Sequence, residues 1–312
     1  MIFCMDVGGT RTKYGLVDLA TGRMPVNLAW PTEVSGVYAF AGAAEAALEE
    51  LCQRAGFPRE RIMGAGLGIP GYVNDDFISM VWESLAFMEG NQFRPAMAER
   101  LGCPVRMDND ARVVALGEAL LGGHGRPGRL LSLTLGTGLG FGLVINGELQ
   151  EKTSINHLSG HIPIRPGARP CFCGFSGCLE SLVGNQALVD YFKEQCRQYP
   201  EINCEVDPEP QQILEAAGRG DPLAEPAARQ LIEDLITGLN AYILLFGPDV
   251  IALGGGLAEG LSPWLDHIQQ GLFAHPYQGY QVQVRLSRLG KQAGLFGAAA
   301  LWNELTQDRL SF

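Results

Sequence analysis

The chain has 312 residues, 46% of them hydrophobic and 18% charged, with a formal net charge of −11. That is about two ordinary domains' worth of chain with ample core, so two lobes or one large α/β unit are expected. The acidic balance excludes a nucleic-acid partner, which would need a basic face, and no stretch approaches the roughly 18 continuous apolar residues of a membrane span. The opening residues MIFCMDVGG carry no basic leader, so a cytoplasmic protein is expected. Glycine, at 41 positions, is about twice its usual share and points to tight turns and close backbone approaches.

In chain order, residues 2–7 read as a buried strand. Gly8-Gly9-Thr10 then turns the chain into a second strand. Backbone amides and a hydroxyl at such a turn can cradle a phosphate, with Asp6 placed to hold Mg²⁺ through water. An ordinary hairpin turn explains the same residues. Neither a Walker loop nor the GxGxxG of a dinucleotide fold is present. Residues 37–55 put Val37, Phe40, Ala44, Leu48 and Leu51 on one helical face, a core-packing pattern. A Gly-rich apolar strand over 62–69 ends in the Pro70-Gly71 turn. A polar loop with aromatic insertions follows, through Asn74-Asp75-Asp76 and Trp82-Glu83-Ser84-Leu85, and suits either a pocket rim or plain surface.

A helix over 93–101 leads to the strand Pro104-Val105-Arg106-Met107, then to Asp108-Asn109-Asp110 before a helix beginning near Ala111. Polar residues at a strand-to-helix junction sit where α/β proteins place their chemistry, and Asn and Asp are equally the preferred helix caps. After the Gly-rich joint at 122–128, LLSLTLGTGLGFGLVINGEL repeats the logic of residues 2–17. An apolar strand, a Gly136-Thr137-Gly138 turn and a second strand are closed by the hairpin pair Asn146-Gly147. Two such hairpins suggest a duplicated fold whose halves face one another across a cleft.

The segment HLSGHIPIRPGARPCFCGFSGCLE, from His157 to Glu180, holds His161, Cys171, Cys173 and Cys178. One His and three Cys in so turn-rich a segment can close a tetrahedron around Zn²⁺, leaving no position for water, which makes a structural site. A buried thiol cluster or a pair of disulfides is the alternative. Cys4, Cys52, Cys103, Cys196 and Cys204 read as single thiols without a role. Helices are expected near 179–197, 210–218 and 222–246. A buried strand over 249–253 then runs into Gly254-Gly255-Gly256, which permits close approach of a nucleotide. The last helix, about Ala293 to Leu305, carries Gly294 and Gly297 for tight packing.

Taken together, DVGGTRTK at 6–13, GIPG at 68–71, DNDARVVALGE at 108–118, LGTGLGFGLV at 135–144, GH at 160–161, CFCGFSGCLE at 171–180 and GGG at 254–256 resemble the ROK family of sugar kinases and sugar-responsive repressors, from end to end and in order. The resemblance implies an α/β, two-lobed, actin-like or ribonuclease-H-like kinase fold with a structural zinc segment. One lobe would span 1–121, with the helix at 293–312 packing back on it, and the other 122–292. It implies transfer of the γ-phosphate of ATP to a hexose hydroxyl, the 6-OH, by a homodimer, with ATP, Mg²⁺ and Zn²⁺ as cofactors. Asp110 would be the general base, while Gly71, Asn109, His157, His161 and Glu180 would lie on the sugar. Gly8, Gly9, Thr10, Lys13, Gly136, Thr137 and Gly138 would clamp the phosphates, Asp6 would hold Mg²⁺, and Gly254, Gly255 and Gly256 would lie against the nucleotide. The zinc would fix His161 and Glu180 without touching the reaction.

The chain departs from the family pattern where the family reads Gly-Glu-x-Gly-His. Leu158 stands at the Glu position, or His157 slides into it, and either change retunes sugar recognition. Glu83-Ser84-Leu85 replaces a common Asn-Leu, and Arg11 a common Lys. The His-Ile-Pro-Ile after Gly160 is similar to allose-kinase-like members, while N-acetylmannosamine, glucose, fructose and β-glucosides stay open. The alternative is a non-catalytic sugar sensor or repressor effector domain. Family repressors carry a DNA-binding helix-turn-helix ahead of the first strand, which here begins at residue 2.

Overall fold

The structure, a computed structural model, describes residues 1–81, 83–150, 156–199, 208–273 and 279–303, with the backbone alone at 156 and 157. The chain divides into two compact units. One holds Met1–Arg126, Gly142–His157 and Lys291–Phe312, and the other Pro127–Phe141 and Leu158–Gly290. The segment 142–157, placed by the sequence reading with the C-terminal lobe, groups with the first unit.

The first unit begins with β1 (Ile2–Val7), β2 (Arg11–Asp18), β3 (Arg23–Pro31) and α1 (Val37–Ala55). It continues through β4 (Gly64–Ile69), a small hairpin of β5 (Tyr72–Asn74) and β6 (Phe77–Ser79), α2 (Phe93–Leu101), β7 (Val105–Asn109) and α3 (Asp110–Leu121). The main sheet runs β3-β2-β1-β4-β7, with β4 parallel to β1 and β7, and β2 antiparallel to its neighbours. Side chains alternate across a strand, so β1 feeds both faces. Phe3, Met5 and Val7 join Phe40, Leu48 and Phe93, while Ile2 and Cys4 join Val113, Leu295 and Trp302. Cover on both faces explains why β1 reads as a continuous apolar run.

The glycines of β4 alternate for a related reason. A Cβ on Gly66 would stand 1.9 Å from Ala298 O, and one on Gly64 2.4 Å from the Trp302 ring, so the helix and the tryptophan lie directly on backbone. Ala65, Leu67 and Ile69, between the glycines, fill the other core.

The chain then forms β8 (Arg129–Leu135), β9 (Leu139–Ile145), β10 (Glu148–Leu149), α4 (Leu179–Val183), α5 (Asn185–Gln198), α6 (Pro210–Gly218) and α7 (Ala224–Phe246). It ends with β11 (Val250–Gly254), α8 (Leu265–Gly271), β12 (Gln283–Leu286) and α9 (Ala293–Ala300). The second sheet runs β10-β9-β8-β11-β12, with β11 parallel to β8 and β12. Asn146 and Gly147 both take positive φ, 52° and 82°, as a type I′ turn between β9 and β10 requires. In the second unit α7 buries Leu231, Leu235, Leu239 and Tyr242, and its Gly238 admits Leu179, which a Cβ would meet at 2.4 Å.

In the first unit α9 lies across α3, where a Cβ on Gly297 would stand 1.9 Å from Val113 O and one on Gly117 2.8 Å from Gly297 N. Each methyl-sized intrusion into such backbone contact costs about 1–3 kcal/mol or more.

Several element boundaries differ from the expectation. The helix read over 179–197 breaks at Gly184 into α4 and α5. A Cβ there would stand 3.1 Å from both Glu180 O and Thr137 O. The strand β3, unmarked in the sequence reading, holds Pro25 and Pro31 on the sheet edge, where a missing N–H is tolerated. The final helix closes at Ala300, and Leu305 lies outside the described residues. Cys196 is disulfide-bonded, contrary to the single-thiol reading. Among the described residues, no helix is long and apolar enough to cross a membrane.

Candidate active site

The first unit gathers its polar groups at the ends of β1, β4 and β7. Asp6 lies on β1, and its Oδ2 accepts from Lys13 Nζ at 2.8 Å. Lys13 also donates to Lys291 O at 3.1 Å, so its amine stands on Asp6 and the approach to α9. The turn Gly8-Gly9-Thr10 follows, drawn together by Gly8 N–H donating to Arg11 O at 3.1 Å. A Cβ on Gly8 would lie 2.7 Å from that same carbonyl oxygen, which makes glycine obligatory. Gly9 is roomier, and its nearest neighbour is the Ser84 hydroxyl, 3.7 Å from where a Cβ would stand.

At the end of β7 the three polar residues separate by role. Asp108 is buried and ion-paired with Arg112, Oδ1 to Nε 2.9 Å, and Arg112 continues to Gln150 O at 2.9 Å. Asn109 is the cap of α3, its Oδ1 accepting from the N–H groups of Ala111 and Arg112 at 3.1 and 3.2 Å. Its Nδ2 donates to Gly71 O at 2.8 Å. Gly71 itself takes φ 99° against Ser79 O, a conformation open to glycine.

Asp110 is the first residue of α3, and its Oδ1 accepts from Ala111 N at 2.8 Å. Although it keeps some solvent contact, burial pushes its carboxyl up to about 6, with the Asp6 carboxylate adding in the same direction. Cap and candidate base are thus neighbouring residues. The sequence reading treated them as rival explanations, and both residues sit at the start of one helix.

The second unit builds around Glu180, in the first turn of α4. Its Oε2 accepts from Leu139 N at 3.0 Å, and its Oε1 stands 3.7 Å from His161 Nδ1. The Gly136-Thr137-Gly138 turn is closed by Gly136 N–H donating to Gly138 O at 3.0 Å. Asn185 N–H, at the start of α5, donates to Gly136 O at 2.8 Å. Gly160 sits tightly between Leu139 and Glu180, where a Cβ would lie 3.0 Å from Leu139 O. Leu158 is half-buried, and the side chain of His157 lies outside the described residues. After β11, Gly255 takes φ 87° with Leu135 O 2.3 Å from a would-be Cβ, and Gln211 Nε2 donates to Gly256 O at 2.8 Å.

The ligand atoms of His161, Cys171, Cys173 and Cys178 all lie within 4.8 Å of one another. Tetrahedral Zn²⁺, with Zn–S about 2.3 Å and Zn–N about 2.0–2.1 Å, has S···S edges of about 3.8 Å and S···N edges of about 3.6 Å. The cluster has Cys173 Sγ to Cys178 Sγ at 3.6 Å and His161 Nδ1 to Cys171 Sγ at 3.4 Å. A disulfide would need about 2.05 Å, and the three cysteines are free thiols. Donor type, spacing and burial fit the metal. Phe172 meets the His161 ring edge-on at 4.9 Å.

The ROK family profile matches residues 2–305. The chain belongs to the ROK family. A glucokinase of Streptomyces coelicolor is 31% identical over 325 aligned positions, covering 96% of each chain. An N-acetyl-D-glucosamine kinase of Salmonella typhimurium is 29% identical, covering 96% of this chain and 99% of its own. Among solved structures, a ROK family glucokinase from Streptomyces griseus, determined with glucose and AMPPNP, superposes with a TM-score of 0.78. It is 29% identical and covers 96% of this chain and 98% of its own. The mixed α/β fold is that of ROK sugar kinases.

Within this ROK chain the expected residues fall into two groups, one in each unit. Asp6, the first glycine turn, Lys13, Gly71, Asn109 and Asp110 lie in the first, and the second glycine turn, His161, Glu180, Gly254 to Gly256 and the cysteines in the second. The sequence marks Ser84 as part of a possible pocket rim without tying it to Gly9, and it assigns no role to Gln211 on Gly256 or to Arg112 on Asp108. Arg112, four residues after Asp108, left no helical signal because Asp108 is on β7 and only Arg112 is on α3.

Proposed function

We propose that this chain is an ATP-dependent sugar kinase that transfers the γ-phosphoryl group of ATP to a hexose hydroxyl, the 6-OH, with Asp110 as general base. The observation that carries the reading is the place of Asp110, first residue of α3 at the end of β7, where burial and Asp6 push its carboxyl up to about 6, in a chain 31% identical to a glucokinase. A base poised just below neutral pH is mostly ionised there and still a competent proton acceptor.

In the reaction, the Asp110 carboxylate takes the hydroxyl proton as the sugar oxygen bonds to the γ-phosphorus. The bond from that phosphorus to the β–γ bridging oxygen breaks, and its electron pair leaves with ADP. Phosphoryl transfer asks chiefly for positioning and charge stabilisation. Gly9, Thr10, Thr137 and Gly138 supply backbone donors and two hydroxyls to the phosphates, Gly8 and Gly136 close the two turns through their own N–H groups, and Gly254 to Gly256 lie against the nucleotide. Mg²⁺ would be held through water by Asp6 and would neutralise phosphate charge. Lys13, now on Asp6, joins the phosphate side of the same site. Asn109, His161 and Glu180 take sugar hydroxyls, and Gly71 holds Asn109. His161, Cys171, Cys173 and Cys178 would hold Zn²⁺, which would fix the loop that orients His161 and Glu180.

With Leu158, or His157, at the position of the family's Glu, that carboxylate acceptor is absent. Recognition therefore shifts away from a plain glucose pattern, because a site that reads hydroxyls by hydrogen bonds discriminates strongly when an acceptor is removed. The reading also carries a homodimer in the cytoplasm, tested by light scattering on the purified chain. The activity is tested by ADP release from Mg·ATP against hexoses, amino sugars, N-acetyl sugars and β-glucosides. Turnover with one sugar class supports the kinase. Sugar binding without turnover, from folded and zinc-loaded protein, contradicts it and favours the sensor.

A further inference from the structure

Thr32 follows directly on β3, and no motif marks it in the sequence. Its backbone N–H donates to Thr10 O at 3.0 Å, and its hydroxyl donates to Gly8 O at 2.6 Å. The Thr12 hydroxyl stands 3.0 Å from the Thr32 hydroxyl. Each hydroxyl has one proton, and that of Thr32 is spent on Gly8 O, so Thr12 is the donor between them. Thr12 is fully buried. A relay thus runs from the core through two threonines to the carbonyl of the glycine turn.

The consequence follows from peptide geometry. All described peptide bonds are trans, and a trans peptide points its C=O and N–H in opposite directions. With Gly8 C=O drawn back onto Thr32, the N–H of Gly9 is aimed out of the other side of the turn. Two successive glycines could rotate that peptide freely. The branched threonine, stiff about its first torsion, removes that freedom.

We propose that Thr32 is a positioning residue for the phosphate-binding turn, acting through Gly8 and the Gly8–Gly9 peptide, with Thr12 holding its hydroxyl in place. The proposal rests on the kinase reading of that turn. Thr32 touches no substrate itself. Its loss therefore acts on nucleotide affinity and leaves the sugar side alone, which a general loss of stability would not do.

The test is calorimetric binding of Mg·ATP, with steady-state KM for ATP and for the accepted sugar, on wild type, Thr32→Val, Thr32→Ser and Thr12→Val. The expected result is a Kd and KM for ATP raised about tenfold in Thr32→Val, with the sugar KM within about twofold. Thr32→Ser keeps the hydroxyl and stays within about twofold of wild type, and Thr12→Val falls between the two. Wild-type ATP affinity in Thr32→Val overturns the proposal and leaves the kinase reading standing. Parallel shifts in ATP and sugar constants also overturn it. Should Thr32→Val not fold, Thr12→Val decides, because unchanged ATP affinity there breaks the relay. A wild type that takes no Mg·ATP overturns both the proposal and the reading beneath it.

Discussion

The two glycine turns look alike in sequence and are braced by different chemistry. The Gly8-Gly9-Thr10 turn is closed on Arg11 O and held from behind by threonine hydroxyls, none of them charged. The Gly136-Thr137-Gly138 turn is held by the backbone of Asn185 and beside it, at Leu139, by the Glu180 carboxylate. Glu180 in turn stands 3.7 Å from a candidate zinc ligand, His161. The first turn therefore depends on neutral hydrogen bonds inside its own sheet. The second is coupled to the metal loop and to a carboxylate assigned to the sugar. A repeated motif fixes a local conformation, and the residues packed behind it decide what each copy senses.

That contrast can be broken in a definite order. The largest effect is expected from the metal cluster. Wild type should carry one zinc per chain by elemental analysis, and Cys173→Ser should lose it. The catalytic efficiency for sugar then falls by at least about 10²-fold, since misplacing binding groups by about 1 Å costs that much. The KM for ATP should move far less, and equal damage to both would erase the distinction between the turns. A fully active, metal-free preparation would remove the zinc altogether.

Gly8→Ala comes next, because its new methyl would meet the Arg11 carbonyl at 2.7 Å and neither side can yield. We expect the KM for ATP to rise about ten- to hundredfold, corresponding to about 1–3 kcal/mol of overpacking. Gly138→Ala should be milder, for its methyl would meet Glu180 Oε2 at 2.9 Å, the far end of a side chain that can turn aside. Moving Glu180 should raise the sugar KM about tenfold, near the worth of a hydrogen bond to a charged group. Steady-state kinetics on both variants read the difference. A Gly138→Ala effect confined to ATP would contradict the coupling to the sugar side.

The smallest effect is on stability. The Asp110 carboxyl is raised from 3.8 to about 6, so the folded state favours its protonated form. That contribution is fully present below the unfolded value and is lost as pH rises through about 6. Asp110→Asn keeps it, and should be more stable than wild type at pH 7 by on the order of 1 kcal/mol, discounted for partial exposure. The difference should vanish near pH 3 in thermal melts. Activity runs the other way, falling about tenfold per pH unit once below about 6, as the base becomes protonated.

Much of the fold was legible because its signals are local. The apolar run at Ile2–Val7, the helical face of 37–55, the Asn146-Gly147 hairpin and the four metal donors within 161–178 each declare themselves inside one short window. The bracing was not legible. Thr32 reaches Gly8 across 24 positions and Glu180 reaches Leu139 across 41, and nothing in the sequence near either partner marks the contact. The strand β3 stayed hidden because its edge position tolerates two prolines, and the break at Gly184 because the crowding there comes from Thr137. For Asn109 and Asp110 the sequence offered cap and catalysis as alternatives. One residue caps, and its neighbour carries the raised carboxyl.

The central claim is that Asp110 takes the proton from the sugar hydroxyl. It is tested by single-turnover formation of sugar phosphate in wild type and Asp110→Asn, with sugar affinity measured by calorimetry on both. The account predicts a fall of about 10² to 10⁴ in the rate with sugar affinity retained. A rate within a few-fold of wild type would contradict it.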